Sequence, residues 1–248
     1  MVDTATAPSG NAWTRLANSN PIMEFIDVTL RGSGQVIFMD NPLTGLLNFV
    51  AMFVGAARGG TSFEVAIGSV IGTMVSTAMA YLLKANRGNL KAGIYGFNGM
   101  LVGACLPTFL AANPLMWLFL VVGSAVSTIV IMAVANFLAP YKMPAFTFPF
   151  VLTCWLIVLY AKKITGLPPS AGGPLPEGGF NFITAGLNSV SQVWFVADWV
   201  AGIIFLVALA VESIWCVALT ALGAFLGAWF AYACGADVAA VNFGLWGF

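Results

Sequence analysis

Long apolar runs separated by short polar breaks dominate this chain. The stretch from residue 92 to residue 141 contains no charged side chain at all. A helix that crosses a bilayer needs about 20 mostly apolar residues, so this stretch alone can hold two crossings. The pattern predicts an all-α, polytopic integral membrane protein with apolar segments at residues 36–57, 65–83, 98–111, 115–138, 146–161, 200–217 and 218–234.

Composition narrows the function classes. Of the 248 residues, 60% are apolar and only 7% are charged, whereas soluble domains carry about 25% charged residues. Lys and Arg together equal Asp and Glu, so no basic surface is available for nucleic acid. Histidine, the commonest metal ligand and proton relay, is absent, and the four cysteines show no CxxC spacing. We therefore expect no metal, no cofactor and no nucleic-acid partner.

The chain divides into four parts. A polar lead-in (1–21) precedes a first membrane unit (22–163), a Pro/Gly-rich linker (164–180) and a second membrane unit (181–248). The second unit repeats features of the first in order, which indicates a duplication. It stops where the first continues, so we expect an incomplete second unit and favour a fragment over a shortened protein. The matched stretches are Gly34-Gln35-Val36 with Ser191-Gln192-Val193, Gly93–Phe97 with Gly244–Phe248, and Gly68 and Gly72 with Gly223 and Gly227.

Two short helix-compatible stretches, residues 22–31 and 182–189, each lead to a glutamine. Neither is long enough to cross a bilayer, so each is predicted to be a re-entrant half-helix. Such a helix leaves up to four carbonyl oxygens without helical partners. Irregular backbone is tolerated at membrane depth only when it is buried in protein or lines a cavity. The alternative is an amphipathic segment that lies at the membrane surface.

Two further stretches carry polar groups inside apolar runs. Gly99 and Gly103 either let another group approach the backbone closely or serve helix packing, and Asn98 beside them needs a partner or a cavity. Thr147 lies between Pro144 and Pro149, which break the helix around it. Its hydroxyl either faces a pore or lies in a hinge at the membrane surface.

These stretches resemble the urea transporter family. The resemblance rests on Ile94-Tyr-Gly-Phe-Asn-Gly-Met-Leu-Val-Gly103 and Pro144-Ala-Phe-Thr-Phe-Pro-Phe150 and covers roughly residues 22–248. Met143 stands where the family usually has Leu. The family repeats its Thr-x-Pro-Phe motif in the second half, and this chain ends before that point.

The resemblance implies two inverted repeats with re-entrant half-helices, one pore per protomer, and a homotrimer among membrane lipids. It implies passive, channel-like passage of urea, without ATP or a cofactor, in a bacterial inner membrane. It also implies roles for particular residues: Phe97 and Phe248 sandwich the solute, Leu101 lines the slot, Gln35 and Gln192 lead the acceptor ladders, Val36, Phe38 and Val193 lie beside them, and Thr147 supplies a hydroxyl at the constriction.

Three alternatives remain open at this point. The pore could prefer ammonia or short-chain amides, or the chain could be a truncated member that does not transport. A membrane-embedded enzyme would need convergent His, Cys, Ser–Lys or carboxylate pairs at membrane depth, and the sequence shows none. We therefore expect that the protein is not an enzyme.

Overall fold

The computed structural model of the protein describes residues 12–173 and 175–247, and within these ranges all regular structure is helical. Short 3₁₀ turns at Gln35–Ile37 and Ala139–Tyr141 and a π-helical turn at Ala161–Thr165 extend three of the helices. The α-helices are α1 (Ala12–Ala17), α2 (Pro21–Gly34), α3 (Pro42–Ala57), α4 (Phe63–Leu82), α5 (Arg87–Lys91), α6 (Gly96–Phe109), α7 (Pro114–Leu138), α8 (Phe148–Tyr160), α9 (Phe182–Gln192), α10 (Trp199–Ala210), α11 (Ile214–Ala233) and α12 (Val238–Asn242).

Among the described residues, four helices are long and apolar enough to cross a membrane: α4, α7, α8 with its π-helical turn, and α11. Helices α2 and α3 form a broken pair that bends by 74° at residues 38–41. Helix α10 is apolar but has only 12 residues, and α6 has 14, so both are shorter than a full crossing. The predicted all-α, polytopic class is confirmed.

Polar side chains set the helix starts. The same pair of residues, Asn followed by Pro, begins three helices, at Asn20, Asn41 and Asn113. In each case the Asn side chain accepts a hydrogen bond from the first turn, and the Pro takes the first helical position, where no N–H is needed. Local chemistry therefore fixes these helix starts.

One predicted boundary is wrong. The apolar segments 200–217 and 218–234 divide at residues 211–213 rather than between 217 and 218. Ser213 caps α11 by accepting the N–H of Cys216 at 3.3 Å, and Glu212 is exposed in the turn. The break was missed because apolar residues flank these two polar ones on both sides.

Helices α4 and α6 pack through glycines. A Cβ on Gly72 would lie 2.1 Å from the Gly99 carbonyl oxygen, and one on Gly103 would lie 2.0 Å from the Gly68 carbonyl oxygen. Only glycine permits this approach of the two backbones. Close helix packing is therefore the role of Gly99 and Gly103.

Helices α3 and α10 join the two units and run antiparallel. The Thr44 hydroxyl, near the start of α3, donates to the Ala208 carbonyl near the end of α10 at 2.9 Å. At the other end of the pair, Arg58 Nε contacts Asp198 Oδ2 at 2.8 Å. Gly55 packs against Val196 between these points.

A few backbone features of the predicted first unit recur in the predicted second unit. Phe38 and Phe195 both have φ near 60° and lie 157 residues apart (195 − 38). The caps Ser62 and Ser213 lie 151 apart (213 − 62), and each begins a helix of 20 residues. Counted from these caps, Gly223 corresponds to Gly72, which corrects the predicted match with Gly68.

Candidate functional site

Helix α2 ends in a tight turn whose amide side chain is anchored. We call residues 35–38 the first acceptor turn. Gln35 is 8% exposed, and its Nε2 donates to the Ala92 carbonyl at 2.8 Å. This bond leaves the Gln35 Oε1 as a hydrogen-bond acceptor. Within the described residues, the carbonyls of Val36 and Ile37 accept no backbone hydrogen bond from the chain that follows.

The same arrangement recurs at the end of α9. We call residues 192–195 the second acceptor turn. Gln192 Nε2 donates to the Phe243 carbonyl at 3.0 Å, and the turn closes with the Phe195 N–H donating to the Gln192 carbonyl at 2.9 Å. The helix that was predicted over 182–189 continues to Gln192. Both glutamines therefore present one free carbonyl oxygen beside a broken helix end.

A cavity of about 560 Å³ opens at the first acceptor turn. It brings together three of the residues singled out from the sequence: Gln35, Phe38 and Phe97. Every lining residue is uncharged, so the cavity offers amide groups and aromatic rings without a fixed charge. The other lining residues are Asn86, Asn89, Ile94, Tyr95, Ile131, Met132, Ala135, Asn136, Pro144, Ala145 and Phe146.

The remaining predicted site residues lie outside that cavity. Val36 and Leu101 are buried in the core, at 6% and 3% exposure. Val193 is half-buried against the same core, and Gln192 lies in the second unit. Their roles, inferred from the family resemblance, stay predictions. Phe248 lies outside the described residues, so its predicted pairing with Phe97 also stays a prediction.

Asn98 holds the Pro-rich stretch in place. It is fully buried in α6, its Nδ2 donates to the Phe146 carbonyl at 3.3 Å, and its Oδ1 accepts the Phe150 N–H at 2.9 Å. The backbone is irregular from residue 143 to residue 147, and α8 begins at Phe148. Asn98 therefore fixes the break that the two prolines create.

Thr147 is the last residue before α8. It is half-buried, and its side chain makes no capping hydrogen bond. It does not line the cavity at the first acceptor turn. The predicted non-helical setting of Thr147 is observed, while its pore-facing role stays a prediction.

Two aromatic residues near the acceptor turns were not among the site residues predicted from the sequence. Phe146 packs edge-on against Phe38, with ring centroids 5.6 Å apart, and lines the cavity with it. Phe195 has the same left-handed backbone as Phe38 and contacts Phe109 and Phe150 edge-on. The spacing of 157 residues that pairs Gln35 with Gln192 also pairs Phe38 with Phe195, so the signal for Phe195 was present.

The part of the chain that the structure describes was compared with the side-chain clusters that bind metal ions. No group of three or more His, Cys, Asp or Glu residues there could hold a metal ion. Cys105 and Cys154 are buried free thiols, whereas Cys216 is half-buried and Cys234 is exposed.

Comparison with known proteins gives one family. The urea transporter family model matches residues 26–248. Urea transporter 1 of Mus musculus is 28% identical over 240 residues, which are 92% of this chain and 61% of the mouse protein. Urea transporter 1 of Ovis aries is 34% identical over 131 residues, which are 52% of this chain and 33% of the sheep protein. This chain thus spans about three fifths of the mouse relative, and both relatives are named as transporters rather than enzymes.

Proposed function

The chain belongs to the urea transporter family, and we propose that it provides a passive, channel-like path for urea across a membrane. The observation that carries this proposal is the uncharged cavity at the first acceptor turn, where Gln35, Phe38 and Phe97 meet. The membrane setting rests on the four apolar spans and on the family.

The hydrogen-bonding groups at the turn suit urea. Urea has N–H donors along its edges, and each donor that loses water without a replacement acceptor costs roughly 1–3 kcal/mol. Gln35 Oε1 is a neutral acceptor of the required kind, as are the carbonyls of Val36 and Ile37, which accept no backbone hydrogen bond from the described residues that follow them. In the proposed path, Gln192 and Val193 play the same part at the second acceptor turn.

The aromatic rings of the cavity suit a flat solute. Phe38, Phe97 and Phe146 line it, and planar rings can contact the faces of urea while its edges reach the acceptors. Ions lose hydration in an uncharged, apolar slot without any compensating charge, which is a large cost. These properties favour a neutral planar solute, and no nucleophile, cofactor or metal is required.

We place the path between two inverted repeats, residues 22–163 and 181–248, joined by the linker 164–180. Antiparallel packing of α3 and α10 and the matched acceptor turns support this arrangement. Duplicated halves of membrane transporters commonly hold the substrate between them at the middle of the bilayer. Leu101, Thr147 and Phe248 complete the proposed path.

Assembly and location complete the proposal. The outer face of α11 exposes large apolar side chains, including Leu219, Leu222 and Leu226. Such a face suits lipid tails or another subunit, which supports an integral membrane protein and the proposed homotrimer. The bacterial inner membrane is the proposed location.

Stopped-flow light scattering on proteoliposomes that contain the full-length protein tests the function. We expect the protein to accelerate the relaxation of a urea gradient over protein-free vesicles by a larger factor than the relaxation of an acetamide or an ammonium gradient. A larger acceleration over protein-free vesicles for acetamide or ammonium than for urea would identify a pore for short amides or ammonia. Relaxation equal to that of empty vesicles for all three solutes would contradict a transport function.

A further inference from the structure

Arg31 bridges the two sides of the first acceptor turn. It lies on α2, four residues before Gln35, and its Nε donates to Asp27 Oδ2 at 2.7 Å. Its Nη1 reaches past the turn to Asp40, where it donates to the backbone carbonyl at 3.0 Å and to Oδ1 at 2.7 Å. One guanidinium therefore connects the helix before the turn with the residue two positions after it.

Asp27 fixes the orientation of that guanidinium. It is 8% exposed, and its two carboxylate oxygens have different partners. Oδ2 accepts from Arg31, while Oδ1 accepts from the indole Nε1 of Trp13 on α1 at 2.5 Å. Helix α1 is thereby tied to the same network.

The turn has few other restraints at its exit. Inside it, the Phe38 N–H donates to the Gln35 carbonyl, and the Met39 N–H donates to the Gly34 carbonyl, both at 3.1 Å. The second unit does not hold Asp40 through its backbone. Among the described residues, no backbone hydrogen bond joins Asp40 to the turn at residues 211–213, between α10 and α11. Arg31 therefore links the exit of the first acceptor turn to α2.

The second acceptor turn has an uncharged residue at the position that corresponds to Arg31. Asn188 stands 157 residues after Arg31 and donates to the Asn242 carbonyl at 2.8 Å instead. The exit of the second turn is held from the other unit, because the Ala197 N–H donates to the Gly60 carbonyl at 2.8 Å. Within the described part of the chain, no backbone hydrogen bond from the second unit holds Asp40 in this way, and the Arg31 guanidinium contacts Asp40 instead.

We propose that Arg31, oriented by Asp27 and Trp13, is a positioning residue that fixes the carbonyls of the first acceptor turn for the passing solute. The effect on the solute rests on the proposed function, whereas the restraint on the turn does not. A planar fork that donates from Nε and Nη1 at once is required, and the single ammonium of lysine cannot reproduce it.

Two measurements on the full-length protein test this role. Hydrogen–deuterium exchange in nanodiscs reports the protection of the amides of Phe38 and Met39. Stopped-flow flux reports the ratio of urea to acetamide permeability. The variants are Arg31→Gln, Arg31→Lys and, as a matched control, Arg58→Gln, which removes an ion pair of similar length between the two units.

We expect both Arg31 variants to accelerate exchange at Phe38 and Met39 by about tenfold and to change the permeability ratio by about threefold or more. Arg58→Gln should leave the exchange at Phe38 and Met39 at its wild-type rate, because its ion pair with Asp198 follows the second acceptor turn and not the first. A Trp13→Phe variant should shift the exchange and the permeability ratio in the same direction by a smaller factor, because only the anchor of Asp27 is lost.

Unchanged protection at Phe38 and Met39 in Arg31→Gln would overturn the proposal. So would a wild-type permeability ratio in that variant despite lost protection, because Arg31 would then be structural only. Wild-type behaviour of Arg31→Lys would show that charge rather than the fork matters, and would overturn it too. If the wild-type protein carries no urea, the proposed function fails, and the exchange measurement alone decides whether Arg31 restrains the turn.

Discussion

The two acceptor turns follow the same backbone path but have different surroundings. Each is led by a buried glutamine, and each includes a phenylalanine with φ near 60°. At the first turn, Phe38 is 64% exposed and lines an open cavity. At the second, Phe195 is half-buried, with ring centroids 6.2 Å from Phe109 and 6.4 Å from Phe150.

This difference separates what the two turns share from what each unit adds. The shared features are the hydrogen bonds within the turns and the glutamine anchors on the carbonyls of Ala92 and Phe243. The contacts at the exits differ, because Arg31 holds Asp40 after the first turn, whereas the Ala197 N–H after the second turn donates to the Gly60 carbonyl. In our proposal, the turn itself therefore contacts the solute in both halves of the chain, whereas the residues around each turn differ with the elements that pack against it.

The largest expected effect compares two corresponding glycines, Gly72 and Gly223. A Cβ at Gly72 would lie 2.1 Å from the Gly99 carbonyl oxygen, whereas a Cβ at Gly223 would meet nothing within 4 Å. In the 248-residue chain, Gly72→Leu should lower the free energy of unfolding by about 3 kcal/mol or more. Gly223→Leu should change it by about 0.5 kcal/mol or less. Denaturant titration in detergent micelles measures both, and equal losses would refute the packing difference between α4 and α11.

The next effect compares the two phenylalanines with left-handed backbone. Phe195→Ala removes edge contacts with two rings and should cost about 3 kcal/mol of unfolding free energy. Phe38→Ala should cost about 1 kcal/mol or less, because most of that ring is already exposed in the chain. Urea flux should fall more in Phe38→Ala than in Phe195→Ala if the first turn opens the path. A larger stability loss for Phe38→Ala than for Phe195→Ala would contradict this order. It would mean that another group fills the cavity in solution and packs against the Phe38 ring.

The two glutamines should behave alike. Gln35→Met and Gln192→Met keep the side-chain length but lose the donor to a backbone carbonyl. Each should lower the free energy of unfolding by about 1–2 kcal/mol, because the carbonyl of Ala92 or Phe243 loses its partner. Both should also slow urea flux. A cost at only one position would break the correspondence between the two turns.

The sequence predicted the parts of this picture that depend on local pattern. Apolar runs located the helices, and the short stretches before Gln35 and Gln192 indicated helices that end early. The pairing rule for buried amides showed that Asn98 needs a partner. It could not supply that partner, because Phe146 and Phe150 lie about 50 residues away along the chain and only the fold brings them close.

Other features depended on tertiary contacts. Asp27 and Arg31 lie four residues apart on α2 and pair within that helix, but only the bend between α2 and α3 brings Asp40 to them. Phe195 could have been found by applying the offset of the glutamines to Phe38. It was missed because the matched stretches ended at Val36 and Val193, two residues before the phenylalanines.

The smallest expected effect concerns the helix caps that follow the two turns. Asn41 begins α3 by accepting the Leu43 N–H at 2.9 Å, and Asp198 begins α10 by accepting the Ala201 N–H at 2.8 Å. Asp198 also pairs with Arg58, whose side chain is 42% exposed, so water and salt screen that pair.

Asp198→Asn makes the second cap like the first and retains the helix start. We expect a loss of less than about 1 kcal/mol in the free energy of unfolding, which 1 M salt in the buffer should largely abolish. Asp198→Ala, which removes the cap as well, should cost about 1 kcal/mol more. If Asp198→Asn cost as much as Asp198→Ala, the ion pair rather than the cap would hold this end of α10, and the second unit would depend on charge as the first does at Arg31.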